Sequence, residues 1–251
     1  MRIDAKGIPY KDLNEKIREA LNSGAREIIL DNVNGQRYIG DGLRGSNIKI
    51  IINGIPGNDL AAFMDGPTII VNSNAQDGIG NTMNAGKIIV YGDAGDIVGY
   101  SMRGGKIYIK GNVGYRLGIH MKAYQDLYPV IIIGGTARDF LGEYMAGGLL
   151  VILGIEHHGI GKKAHPRGMV GDFVGTGMHG GRIFIRGGLD ATKLAKEVKT
   201  ASPSDEDMKI LEMHLQDFCR YFELDLERIL KTQFTKLYPY THRPYGKIYA
   251  Y

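Results

Sequence analysis

One motif returns along this chain at a nearly fixed interval, and it constrains the fold more than any other feature. Gly-x-x-Met-x-small-Gly is complete around Met83, Met102, Met145 and Met178. Degraded copies surround Met64, led by Ala61, and Met121, led by Gly118, while Leu43 between Gly40 and Gly45 is an earlier degenerate one. Met64, Met83, Met102 and Met121 follow one another at 19 residues, with 24 to Met145 and 33 to Met178. A repeat of that length is one coil of a solenoid.

Five positions after the Met, a short apolar run usually begins: Ile69-Ile70-Val71, Ile88-Ile89-Val90, Ile107-Tyr108-Ile109, Leu150-Val151-Ile152 and Ile183-Phe184-Ile185. With the runs Glu27–Leu30, Ile48–Ile52 and Val130–Ile133 included, this makes about eight rungs, a stack of roughly 35 Å at the strand spacing of a sheet. Glycine and β-branched residues dominate the segment, and both are poor helix formers. The expected architecture is therefore all-β, a single-stranded parallel β-helix.

Other columns of the repeat agree. Two after each Met the residue is always small: Gly66, Ala85, Gly104, Ala123, Gly147 or Gly180. Three before it stand Ala61, Gly80, Gly99, Gly118, Gly142 and Gly175, which suits corners where a side chain would clash or φ must be positive. The methionines then form an interior stack, since thioethers fill irregular gaps. Six before each Met run Asn58, Asp77, Asp96, Tyr115, Asp139 and Asp172. A carboxylate column invites calcium, but the 19-residue period, the break at Tyr115 and the neighbouring glycines favour turn hydrogen bonds.

Several functions are disfavoured. No apolar run approaches the length of a membrane-spanning helix, and residues 1–6 lack a signal-peptide core, so a cytoplasmic location is expected. Cys219, the one cysteine, allows no internal disulfide or cysteine cluster. A net charge of +4, spread through the chain, lacks the basic footprint of a nucleic-acid binder. The glycine-rich turns lead into strands, not helices, so they do not cradle phosphate. The insertion Gly154–Arg167 carries His157, His158 and His165, which could converge on zinc but lack regular ligand spacing. The expected site residues are none: no catalytic, cofactor-binding or metal-ligating residue.

The ends differ from the middle. Leu13, Ile17 and Leu21 mark a helix within a 1–25 segment that caps the first coil, with Gly24 to end it. The β-helix spans 26–189, and a helical extension with an aromatic tail spans 190–251. In that extension Ser204 starts a helix whose stripe is Met208, Leu211, Leu215, Phe218 and Phe222, and a second helix lies around Leu226–Leu230. The tail from Lys236 reads as an extended arm on a partner. If Ile88 and Val90 point inward, then Ile70, Ile89, Tyr108, Val151 and Phe184 point outward, an apolar face that the terminal helices or a partner must cover. That face also disfavours a carbohydrate-cleaving β-helix.

The stretches Gly57–Met64, Asn74–Met83, Gly95–Gly105, Gly118–Met121 and Asp139–Gly148 together resemble the Gly-x-Gly-x-Gly domain at the carboxyl end of the glutamate synthase large subunit. The same Gly-Asp-x-x-Gly-x-x-Met-x-Gly-Gly coils are similar to those of the β-helical subunit of formylmethanofuran dehydrogenase. The resemblance covers roughly residues 8–188 and implies a right-handed β-helix that supplies no catalytic residue and braces enzymatic domains. The chain opens Met1-Arg2-Ile3 without an amino-terminal cysteine nucleophile, and has neither an iron–sulfur cysteine set nor room for a flavin barrel. A free-standing subunit is thus expected, needing no cofactor of its own. Its partners would be glutaminase (amidotransferase) and flavin/iron–sulfur synthase subunits.

Overall fold

A computed structural model describes residues 1–155 and 168–241. The strands are β1 (Arg2–Asp4), β2 (Glu27–Asn34), β3 (Lys49–Ile55), β4 (Asp65–Val71), β5 (Ala85–Val90), β6 (Lys106–Ile109), β7 (Val130–Ile133), β8 (Ala146–Ile152), β9 (Gly180–Arg186), β10 (Val198–Ala201) and β11 (Phe234–Pro239). They form one 11-stranded sheet in the order β1-β2-β3-β4-β5-β6-β7-β8-β9-β11-β10. From β1 to β9 every pairing is parallel, and the chain is a parallel β-solenoid.

The register explains the apolar runs. Ile28, Ile50, Ile69, Ile88, Ile107, Ile131, Leu150 and Ile183 are successive partners, so one inward column is almost all isoleucine. Every one of them is fully buried. Each contributes about 1.5–3 kcal/mol by leaving water, an upper estimate because unfolded chains already bury some surface. The coil count is nearer six than eight. Eight rungs from β2 to β9 enclose seven turns, and the turn from β8 to β9 contains residues 156–167, leaving six turns fully described.

Both open ends are closed by the chain itself. Leu13, Ile17 and Ala20 of α1 (Tyr10–Asn22) join the interior of the coils. Ahead of that helix, β1 adds a short parallel rung to β2, an element too brief to show in the sequence pattern. At the other end β11 reverses direction, pairing antiparallel with β9 and then with β10, and Val198 and Leu237 plug the last coil. Lys236–Pro239 therefore lies on this chain's own sheet, which corrects the reading of those residues as an arm for a partner. The rest of the tail from residue 242 lies outside the described residues.

The outward strand face is covered by α2 (Asp205–Phe222). Ser204 starts it with a reciprocal capping box to Asp207. Its stripe of Leu211, Leu215, Phe218 and Phe222 then packs on Ile89, Tyr108, Ile132, Val151 and Phe184 in a second apolar core. The short α3 (Leu226–Leu230) adds Ile229 to it. Of the two covers expected, the terminal helix is the one found. Among the described residues no helix is long and apolar enough to cross a membrane.

Candidate functional site

The Asx columns are structural, and they explain the glycines beside them. Asp77 Oδ1 accepts the N–H of Asp96 at 2.8 Å, Asp96 Oδ1 that of Tyr115 at 2.8 Å, and Asp139 Oδ1 that of Asp172 at 3.0 Å. A second ladder runs three residues earlier, from Asn74 to Asp93 to Asn112 to Thr136, at 2.6–2.9 Å. Each oxygen serves the next coil and not its own turn. It also occupies the space of a side chain there: a Cβ on Gly95 would fall 2.0 Å from Asp77 Oδ1, and one on Gly114 1.9 Å from Asp96 Oδ1. The Gly-Asx-x-Gly-Asx pattern of Gly92–Asp96 is thus the imprint of two stacked hydrogen-bond ladders.

Gly114→Ala tests this. The new methyl must displace the Asp96 carboxylate and its bond to Tyr115, at an expected cost of about 2 kcal/mol. Adding Asp96→Ala, which clears the space, is expected to recover part of that loss. Strict additivity in urea unfolding of the single and double variants would count against the ladder.

The other candidates divide as follows. All six repeat methionines are fully buried, an interior stack. His157, His158 and His165 lie outside the described residues. Among the described residues no cluster of three or more His, Cys, Asp or Glu is arranged to hold a metal. The thiol of Cys219 is buried, and burial pushes it up to about 11.

The sequence reading missed the surface that the corners build. In each corner the residues five, three and one before the Met adopt positive φ, as in Asp59 (59°), Ala61 (60°) and Phe63 (56°). Their N–H groups donate alternately to the coil ahead and the coil behind, Asp59 to Asp77 O, Ala61 to Ile39 O and Phe63 to Asn81 O. Three before the Met, at Gly80, a side chain is opposed twice over, by the φ of 67° and because a Cβ would meet Ile107 Cδ1 at 2.5 Å, whereas Ala61 carries its methyl at the same position of another coil. At the outer two positions most side chains are exposed or half-buried, and several coils place large residues there. Arg116, Phe140 and Phe173 stand five before, His120 and Tyr144 one before, all with φ of 52–63°.

These side chains stack. The Phe140 and Phe173 rings lie 5.0 Å apart at 14°, with the Arg116 guanidinium 4.7 Å over Phe140. Beside them His120 and Tyr144 stack at 5.2 Å and 10°, and Tyr100 meets His120 edge-on at 6.0 Å. Buried Glu143 accepts from Arg116 Nε at 2.9 Å and ties the two columns together. The available sequence signal was the substitution of rings for glycine, because Gly78 holds the same place five before a Met and Gly177 holds it one before, as Gly42 does before Leu43.

The backbone cost can be measured at Phe63, which is 56% exposed. Left-handed φ disfavours an L-residue by roughly 1–2 kcal/mol, and glycine's extra freedom in the unfolded chain offsets part of the relief. Phe63→Gly is therefore expected to raise stability by up to about 1 kcal/mol. A fall in the thermal midpoint would show instead that the ring holds the corner.

The GXGXG motif family matches residues 15–241. An uncharacterized protein of Methanocaldococcus jannaschii is 49% identical over 254 residues, covering 99% of this chain and 95% of that one. Among solved structures the chain is similar to one in the formyltransferase/hydrolase complex from Methylorubrum extorquens, determined in complex with methylofuran. That likeness has a TM-score of 0.62 and 19% identity, and covers 93% of this chain and 89% of the other. At such identity it is a likeness of fold.

Proposed function

The chain belongs to the GXGXG motif family, and from that premise we propose that it is a noncatalytic assembly subunit of a glutamate-synthase-type complex. Such a complex moves the amide nitrogen of glutamine to 2-oxoglutarate and forms glutamate reductively in the cytoplasm. The observation that carries the reading is where the polar side chains of the repeat go. Asn74, Asp77, Asp93, Asp96, Asn112 and Asp139 are spent on backbone N–H groups of the neighbouring coil, which stiffens a prism instead of building a substrate site. Catalysis, cofactors and metals then belong to its partners, a glutaminase (amidotransferase) and a flavin/iron–sulfur synthase subunit.

A second reading has one observation in its favour. The solved chain with the same solenoid belongs to a formyltransferase/hydrolase complex, which supports a scaffold like the β-helical subunit of formylmethanofuran dehydrogenase. One experiment separates the two. The tagged chain is purified from its native host at low salt, and the bound proteins are identified and assayed. Glutamine- and 2-oxoglutarate-dependent glutamate formation supports the first reading, and co-purification with a molybdenum or tungsten protein the second. Glutaminase activity in the isolated chain, or no enzymatic partner at all, would overturn the assembly role.

A further inference from the structure

The outward column of the sheet changes character partway along. Ile29, Ile51 and Ile70, on β2 to β4, are half-buried. Their partners in register on the next five strands, Ile89, Tyr108, Ile132, Val151 and Phe184, are fully buried. The step falls where the cover of α2 ends. The rungs before it rest on their own ladder, their interior and the plug of α1.

Polar contacts hold α2 at both limits of the covered stretch. Near its start, Asp207 accepts from Arg182 of β9 at 3.3 Å and from Lys236 of β11 at 2.7 Å. Further along, Asp217 takes Lys87 of β5 and the hydroxyl of Tyr108 on β6, and the Tyr91 hydroxyl donates to Tyr221 O at 3.0 Å. Lys87 and Arg182 stand in one outward row four strands apart, about 19 Å along the sheet. The ten residues from Asp207 to Asp217 span about 15 Å of helix, and the two long cationic side chains close the difference. The helix thus crosses the strands and grips the first and last of five. Ion pairs so little exposed add little net stability, and fixing register is their best-attested use. The adhesion comes from the apolar seam between the two grips.

A coil of a solenoid ordinarily touches only its neighbours, so rungs can open one after another from an end. A helix bound across five of them opposes this, because a covered rung cannot leave without lifting the helix from the others. We propose that α2 is a strap that makes β5 to β9, with β11, one cooperative block, and that α1 with β1 to β4 forms a separate unit that opens first. The strap belongs to the chain itself and operates with or without a partner subunit.

Native-state hydrogen exchange of the full chain, followed by mass spectrometry across sub-denaturing urea, tests this. Peptides within Glu27–Val71 are expected to exchange about tenfold or more faster than those of β5 to β9 and α2, through an opening with a shallow urea dependence. The change should come as a step between β4 and β5. Simple fraying would give a gradient from β1 inward instead. Phe222→Ala removes the ring that meets Tyr91 edge-on at 5.2 Å, and together with Lys87→Ala it frees the end of α2 over β5. In that double variant the step should move past β5, whose peptides lose about tenfold or more of their protection while those of β9 and β11 keep theirs. Thr68→Ala, in the same row one strand outside the strap, should leave the step in place.

A gradient without a step, equal protection from β2 to β9, or a step that stays between β4 and β5 in the double variant would overturn the proposal. Should the double variant fail to fold, the wild-type profile alone still decides between step and gradient.

Discussion

Phe218→Ala is expected to lower the unfolding free energy by about 3–5 kcal/mol, the range for removing a buried phenylalanine ring. Phe218 is fully buried between α2 and the outward strand face. Its ring meets Tyr108 edge-on at 5.7 Å and Phe222 at 4.7 Å, so truncation removes two aromatic contacts as well as area. The loss should appear in urea unfolding, with binding of an apolar dye as α2 loosens from Ile132, Val151 and Phe184. Met213→Ala on the exposed side of the same helix, where the side chain is 59% exposed, should stay within about 0.5 kcal/mol. A Phe218→Ala loss under about 1 kcal/mol would mean that α2 is only loosely seated and that the outward face is available after all.

The same seam sets a pH dependence. His214 is buried on α2, its ring stacked on Tyr128 at 6.4 Å and its Nδ1 without a hydrogen-bond partner among the described residues. Burial, helped by the nearby positive charge of Lys106 and opposed by Asp217, pushes its pKa down to about 4. In the unfolded chain an imidazole titrates near 6.5. Above that value the histidine is neutral in both states and stability is complete. As pH falls from about 6.5 toward 4 the unfolded chain takes up a proton that the folded chain refuses, and about 3 kcal/mol is lost. His214→Phe should retain the ring contact and flatten unfolding free energy across that window. An unchanged slope in the variant would remove His214 as the cause.

The Asp217 carboxylate, on the same helix, acts lower on the scale and does not confuse the assay. Burial works to raise the pKa of Asp217, but the hydrogen bond and charge of Lys87, with the Tyr108 hydroxyl at 3.2 Å, outweigh it and hold it below the usual range. The stability from that depression is present above the ordinary carboxylate pKa of 3.8 and is lost only as pH falls through the lowered folded value. Tyr108 moves the opposite way, raised by burial and by the charge of Asp217.

What the sequence disclosed follows from what repeats. Ile69, Ile88 and Ile107 fall 19 residues apart because they pair in register, and Met83 and Met102 fall 19 apart because they share one interior stack. Such columns show in a single chain because each coil faces the same demand as the last. The helix over Asp205–Phe222 was equally legible, from its cap and its stripe. Where that stripe packs was not, since Phe218 meets Tyr108 across 110 positions of chain with no periodic partner to announce it. The reversal of β11 was hidden for the same reason: the strand repeats no other, and direction leaves no mark on composition. The corner rings were hidden by sterics, because an L-residue at positive φ is what a sequence reader counts against, and Phe140 and Phe173 look like ordinary core candidates until their φ is known.

The corner hydrogen bonds, donated alternately ahead and behind, also give the molecule graduations. A 19-residue coil is a complete unit that meets its neighbours through identical seams. Inserting or deleting one whole coil should leave every other seam intact and move everything beyond it by one sheet spacing, about 4.8 Å. The separation of any two features on the prism is then fixed in whole steps, and a surface gripping it at two heights reads the number of coils between them as a length.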